Sequence, residues 1–152
     1  MDDKGVRLNR FLVEAFNELL KIEEQDLMGY APDLSLREFH LLEDICKAKE
    51  RGSDDRSTAI AAAQRVTAGT LTTVVSQLEK KGYVLRRRDG NDRRVVHLLP
   101  TEKGCRANEC HTRFHRELVN DVLNTLSPEQ AEVFTDALEQ VAAFFRQKDR
   151  SQ

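Results

Sequence analysis

Residues 67–100 read TAGTLTTVVSQLEKKGYVLRRRDGNDRRVVHLLP. The spacing of apolar residues changes period inside this stretch. Leu71, Val74, Val75 and Leu78 recur every three or four residues and share one face of a helix that begins at about Thr67. Thr70, Thr72, Thr73, Ser76 and Gln77 are left on its outer face. Lys80 and Lys81 followed by Gly82 supply the basic last turn and glycine stop of such a helix. From Tyr83 the period becomes two. Tyr83–Arg88 and Arg94–Leu99 read as short strands, joined by Asp89-Gly90-Asn91-Asp92, and an Asp-Gly step between strand-like runs is a strong hairpin signal.

Upstream, an Ala-rich run predicts a short helix over about Ser57–Arg65. Ser35 with Glu38 forms a capping box for a further helix, whose Leu36, Phe39, Leu42, Ile45 and Cys46 face a core. Lys47 to Arg56, dense in charge and containing Gly52 and Ser53, reads as a polar loop. The N-terminal helix is expected over about Val6–Leu27, with Leu8, Leu12, Ala15, Phe16, Leu19 and Ile22 in one stripe, broken by Gly29-Tyr30-Ala31-Pro32-Asp33. Downstream, Thr101 caps a long helix reaching about Asn124. Ser127-Pro128-Glu129-Gln130 opens a last one, with the stripe Phe134, Leu138, Val141 and Phe145.

The expected fold is therefore mainly α with a small β-hairpin wing: a winged helix-turn-helix over residues 35–100, flanked by N-terminal (1–34) and C-terminal (101–152) dimerisation helices. Neither outer region has an obvious intrachain core of its own, so a shared homodimer interface is the economical expectation.

The formal net charge of −2 conceals a gradient. Residues 1–56 carry nine Lys/Arg against fourteen Asp/Glu, residues 57–94 eight against three, and residues 95–152 seven against nine. A basic middle between acidic ends marks one region that meets phosphates. Arg86, Arg87, Arg88, Arg93 and Arg94 crowd the hairpin, countered only by Asp89 and Asp92. Such density repels itself unless anions neutralise it, as DNA phosphates do while releasing counterions. On the preceding helix, Thr methyls can touch thymine, hydroxyls can bond base edges, and Gln77 can read adenine. A merely solvated polar face is the bland alternative.

No apolar run approaches the roughly 18 residues of a membrane span, and the N-terminus shows no export signal, so the expectation is a cytoplasmic protein with no membrane partner. Cys46, Cys105 and Cys110 are odd in number and lack metal spacing. They read as reduced thiols, with a redox sensor as the alternative. No nucleophile with its base, phosphate cradle or paired-carboxylate site is evident, so no enzyme is expected. A non-DNA interaction adaptor is the contrasting class.

Thr70-Leu71-Thr72, Leu78-Glu79-Lys80-Lys81-Gly82-Tyr83, Asp92-Arg93-Arg94 and Leu99-Pro100-Thr101-Glu102-Lys103-Gly104 together resemble the MarR family of repressors. The resemblance implies a dimer formed by the outer helices on a pseudo-palindromic double-stranded operator. It also implies a wing-tip Arg94 that enters the minor groove and an Asp92 that orients it. The expected DNA-contacting residues are Thr67, Gly69, Thr70, Thr72, Thr73, Gln77, Arg86, Arg88, Asp92, Arg93 and Arg94.

Glu23, in line with Phe16 and Leu19, falls on the apolar side of the first helix. His40 lies one turn after Leu36, while His111 and His115 share a face. Burying such groups is costly unless they meet one another. Ile22-Glu23-Glu24, Glu38-Phe39-His40, Arg93-Arg94-Val95-Val96-His97-Leu98 and Arg113-Phe114-His115 resemble the branch that represses fatty-acid biosynthesis. That branch implies long-chain acyl-acyl carrier protein as corepressor, with Glu23, His40, Arg106, His111, Arg113 and His115 around the effector and basic residues meeting the acidic carrier protein. The competing expectation is a zinc-responsive repressor of the same family, with Glu23, Glu24, His40, His111 and His115 as ligands. A purely structural polar cluster is the third. No cofactor is required by any of these readings.

Overall fold

The computed structural model describes residues 2–149. They form α1 (Asp3–Tyr30), α2 (Leu36–Arg51), α3 (Ser57–Gln64), α4 (Ala68–Lys80), β1 (Val84–Arg88), β2 (Val96–Pro100), α5 (Glu102–Asn124) and α6 (Pro128–Asp149). The expected order of helices and hairpin is the order observed. The chain divides into two compact units, residues 1–112 and 113–152.

In the first unit the core gathers the C-terminal end of α1 (Leu27, then Ala31 and Leu34), the inner face of α2 (Phe39, Leu42, Ile45), Ile60 of α3 and Leu71, Val75 and Leu78 of α4. Tyr83, Val84 and Leu98 of the hairpin region close it, with Ala107 of α5. The hairpin is antiparallel, with Val84 opposite Pro100 and Arg88 opposite Val96. Leu98 points into the core while Leu85 stays exposed, the alternation expected of a two-stranded wing covered on one side.

The helix ends follow local chemistry. Ser35 accepts from the Glu38 amide while the Glu38 carboxylate accepts from the Ser35 amide, so the expected capping box is complete. Thr67 caps α4 by accepting from the Thr70 amide at 3.1 Å. Thr101 opens α5 by accepting from the Gly104 amide at 3.1 Å.

Several boundaries differ from those expected. The segment 47–56 is not one long loop, because α2 continues through Arg51 and stops at Gly52 in the left-handed region. Ala48 is buried there, and Lys49 and Arg51 occupy the last turn, where cations are favoured. Gly29 does not break α1, which runs to Tyr30. The stop is set by Pro32, which pushes Ala31 out of the helical region (φ −143°, ψ 61°). The strands are shorter than expected: Tyr83 precedes β1, and Arg94 and Val95 belong to the turn. Helix α3 ends at Gln64, with Arg65 taking a positive φ of 53° as its C-cap.

The N-terminal part of α1 leaves Leu8, Phe11, Phe16, Leu19 and Ile22 exposed. In the second unit Val122, Phe134, Leu138, Val141 and Phe145 are exposed likewise. Each such side chain is about half exposed and so forgoes roughly half of the 1.5–3 kcal/mol that complete burial is worth. Among the described residues, no helix is long and apolar enough to cross a membrane.

Candidate functional site

Helix α4 buries Leu71, Val75 and Leu78 and turns Gly69, Thr72, Thr73, Ser76 and Gln77 outward. Thr67 is exposed at its start, and Thr70 is half-buried beside a small pocket of about 20 Å³ that Arg37, Leu41 and Gln64 also line. Thr73 donates to the Gly69 carbonyl and Ser76 to the Thr72 carbonyl, which leaves the Thr73 oxygen to accept from an outside donor, while Ser76 already accepts from within the unit.

The arginines of the hairpin do not share one role. Arg86 turns back onto α4: it pairs with Glu79 at 2.7 Å and donates to the Thr72 carbonyl at 3.1 Å and to Ser76 Oγ at 2.9 Å. It pins the hairpin to the helix. Arg87, Arg88 and Arg93 are exposed along the wing. At the tip the Asp92 carboxylate accepts from the Arg94 amide at 3.0 Å and from its Nε and Nη2 at 3.1 Å each. The Arg94 side chain is nonetheless 92% exposed. Those hydrogen bonds hold the Asp92 carboxyl below its ordinary range, so it stays charged and keeps its grip. The result is an oriented guanidinium projecting beside a helix face of hydroxyls and one amide, which suits a polyanion with base edges to read.

The sequence marks His97 only as part of the wing strand and not as a site residue. Its Nδ1 lies 2.5 Å from Asp55 Oδ1 and its Nε2 3.3 Å from Asp89 Oδ2. The available signal was a histidine on a strand otherwise crowded with arginine and apolar residues.

A second cluster lies inside the first unit. Glu23, 6% exposed, presents Oε1 to His40 Nε2 and to His111 Nε2, each at 3.2 Å. His111, 1% exposed, has its Nδ1 2.9 Å from the Tyr30 hydroxyl and its ring 4.3 Å from that of Phe39. His111 Nε2–H can donate to Glu23, while its Nδ1 meets the Tyr30 oxygen as acceptor or donor according to its tautomer, because Tyr30 has one proton and the Asp26 carboxylate also accepts from that hydroxyl. Burial, then the neighbouring Asp26 carboxylate, pushes the Tyr30 phenol well above its ordinary range, so it remains a donor. Glu23, His40 and His111 are thus brought together, whereas Glu24 faces solvent. Arg106 is exposed and pairs with Glu102. Arg113 and His115 lie in the second unit, the latter half-buried with its ring edge against Phe114.

A pocket of about 120 Å³ opens next to Tyr30, lined also by Tyr83, Lys103, Arg106, Ala107 and Cys110. Lys103 sits 4.0 Å over the Tyr83 ring, and the Tyr83 hydroxyl donates to Asp33 at 2.6 Å. Burial pushes the Cys46 thiol up to about 12, which leaves it protonated and unreactive at neutral pH.

The chain matches the model of the MarR family over residues 34–96. Among solved structures it is similar to Streptococcus pneumoniae FabT in complex with DNA: 37% identity and a TM-score of 0.85, covering 93% of this chain and 96% of that one. AbsC, a MarR family transcriptional regulator from Streptomyces coelicolor, shares the fold at 22% identity and a TM-score of 0.74, covering 96% of this chain and 97% of that one. The HTH-type transcriptional regulator MhqR of Bacillus subtilis is 32% identical over 76 residues, which is 50% of this chain. The matched stretch spans 52% of that curated relative's length.

Proposed function

Because the chain belongs to the MarR family of DNA-binding transcriptional regulators, we propose that it is a homodimeric repressor of a pseudo-palindromic operator, read by α4 in the major groove and by the wing in the minor groove. The observation that carries this reading is the Asp92–Arg94 pair. A guanidinium held at both its Nε and Nη2 by one carboxylate is still almost fully exposed at the hairpin tip. A narrow minor groove concentrates negative potential and favours an arginine presented in this way. Thr72, Thr73 and Gln77 stand on the free face of the helix that Arg86 ties to the same hairpin. In this reading Arg86 supports the interface, while Arg88, Arg93 and Arg94 meet the DNA. The exposed apolar stripes of α1 and of the second unit supply the surface that a second copy covers.

The regulated genes in this proposal are those of fatty-acid biosynthesis, with long-chain acyl-acyl carrier protein as corepressor. Support comes from the similarity to FabT over nearly the whole chain and from the Glu23–His40–His111 cluster beside an aromatic and basic pocket. At about 120 Å³ the pocket is smaller than the roughly 300 Å³ at which small-molecule sites begin, so an acyl chain enters only as it widens.

Fluorescence anisotropy with DNA from upstream of the chain's own gene, and with duplexes selected from a random pool, tests the proposal. Tight, salt-sensitive and sequence-selective binding is expected, strengthened by acyl-acyl carrier protein. Strengthening by zinc and reversal by EDTA, with no response to the acyl carrier, moves the effector to a metal. No selective binding to either DNA overturns the repressor reading in favour of an interaction adaptor.

A further inference from the structure

His97 links two carboxylates from different parts of the first unit. Asp55 lies in the segment before α3, whose Arg56 forms an isolated bridge with His97 and whose Asp55 carbonyl accepts from the Leu98 amide at 2.9 Å. Asp89 directly follows β1 and opens the turn of the wing. A neutral imidazole has one N–H, so both ring nitrogens donate to carboxylates only in the imidazolium form. The side chain of His97 is 19% exposed, and the other charged groups set around it are Asp54, paired with Arg56, and Arg87, opposite it in the sheet.

Asp89 uses its other oxygen on the wing tip. Its Oδ1 accepts from the Asn91 amide at 2.8 Å and from the Asp92 amide at 3.0 Å. Asp92 in turn holds Arg94. The turn is closed across its base by Asp89 N–H to the Val95 carbonyl and Val95 N–H to the Asp92 carbonyl. A continuous chain of hydrogen bonds therefore runs from Asp55 through His97, Asp89 and Asp92 to the exposed guanidinium.

We propose that His97 is a positioning residue for the wing: as an imidazolium it anchors Asp89 to Asp55, and through Asp89 it fixes the turn that presents Arg94 to DNA. This rests on the repressor reading above. The facing carboxylates, Asp55 first and then Asp89, raise His97 above its ordinary histidine range. The bridge is thus complete below that raised value and is lost as pH rises through it. Operator affinity then falls as pH rises through that value, because the turn loosens and Arg94 is held less well.

The test compares the full chain with His97→Gln and Asp89→Asn. An Asn at 89 still accepts from the two turn amides but no longer pairs with an imidazolium, so it separates the linkage from the mere loss of charge at His97. Anisotropy titrations on a selected duplex from pH 5.5 to 8.5 are expected to show wild-type affinity falling by up to about tenfold, within the range for an impaired base-reading arginine. Both variants are expected to be flat with pH at the weaker value, with circular dichroism confirming that they are folded. Without DNA, the Asn91 and Asp92 amide resonances of the wild type should titrate with the midpoint of the His97 ring. Wild-type binding that is strong but independent of pH, or an Asp89→Asn variant that keeps the wild-type pH dependence, overturns the positioning role and leaves the repressor reading standing. Amides that ignore the His97 titration overturn it without reference to DNA. Absence of selective binding at every pH removes the repressor reading and this inference with it.

Discussion

A Cβ added to Gly104 would stand 2.4 Å from the carbonyl oxygen of Tyr83. The first turn of α5 therefore crosses the entry to the wing at backbone contact. The Thr101 amide donates to that Tyr83 carbonyl at 3.0 Å, the Thr101 hydroxyl donates to the adjoining Gly82 carbonyl at 2.7 Å, and Lys103 donates to the Lys81 carbonyl at 2.9 Å. Thr101, Lys103 and Gly104 thus cap, strap and clear the junction where α4 hands over to the hairpin. Because the obstructing atom is backbone, it cannot swing aside. Gly104→Ala is expected to destabilise the fold by about 1–3 kcal/mol, the usual cost of overpacking. Urea unfolding at neutral pH measures it, and an unchanged midpoint would show that the junction relaxes freely.

Arg94→Ala should weaken operator binding by at least about tenfold, the lower range for loss of a base-reading arginine, while the dimer remains intact by sedimentation. Arg86→Ala should behave differently. Its guanidinium is engaged with Glu79, Thr72 and Ser76, so its removal frees the hairpin from α4 and lowers thermal stability as well as affinity. Equal stability in both variants would remove the distinction between a contacting and a supporting arginine.

Thr72→Ala and Gln77→Ala should alter sequence preference more than affinity for unrelated DNA, because base-edge contacts specify and phosphate contacts only position. Selection from a random duplex pool measures this. Uniform weakening on every sequence would make both residues backbone contacts.

The framework of this chain is carried by local signals, and they were sufficient where the chemistry is local. Ser35 with Glu38, Thr67, and the Asp89-Gly90 step each act within a few residues, so sequence alone places the starts of α2 and α4 and the hairpin, whereas α1 begins behind the Asp2 cap at Asp3 and not at Val6. Residues 47–51 were misjudged because a charge-dense run looks the same as a loop or as the wet face of a helix, and only the burial of Ala48 distinguishes them. The segment Gly29–Asp33 does end α1, but within it the stop belongs to Pro32, so the helix runs past Leu27 to Tyr30. At the effector cluster, a carboxylate and imidazoles on apolar faces revealed Glu23, His40 and His111. Tyr30, which completes it, lies 81 residues from His111, and no periodicity reports that distance. Arginine count likewise could not separate Arg86 from Arg94. Both are positive, and only the fold decides which one is already partnered.

Glu38 gives the acid side of stability a specific cause. Burial opposes its charge, but hydrogen bonds from Lys81 and from the Ser35 amide and hydroxyl outweigh that and hold its carboxyl below the ordinary 4.5. A carboxylate depressed in the folded state stabilises fully above its unfolded value and loses that contribution as pH falls through the folded one. The Glu38–Lys81 contribution should therefore be present at pH 6 and fade below 4.5. Glu38→Gln should lower the urea midpoint at pH 6 and narrow its gap to wild type as the solution is acidified. A gap that stays constant with pH would assign the loss to packing instead of charge.

His111 and His115 test the effector. His111→Gln keeps a donor toward Glu23, and His115→Ala alters a side chain that rests on Phe114, so neither change should unfold the protein. In each variant operator binding without effector is expected to match the wild type, while the strengthening by acyl-acyl carrier protein disappears. The distinction from a structural cluster is sharp, since Glu23 between two imidazoles and Tyr30 against the second could exist solely to satisfy one buried carboxylate. In that case His111→Gln would lower the melting temperature and leave the acyl response unaltered. A full response in both variants would confine the cluster to holding α1, α2 and the start of α5 together, and the effector would have to be sought elsewhere on the chain.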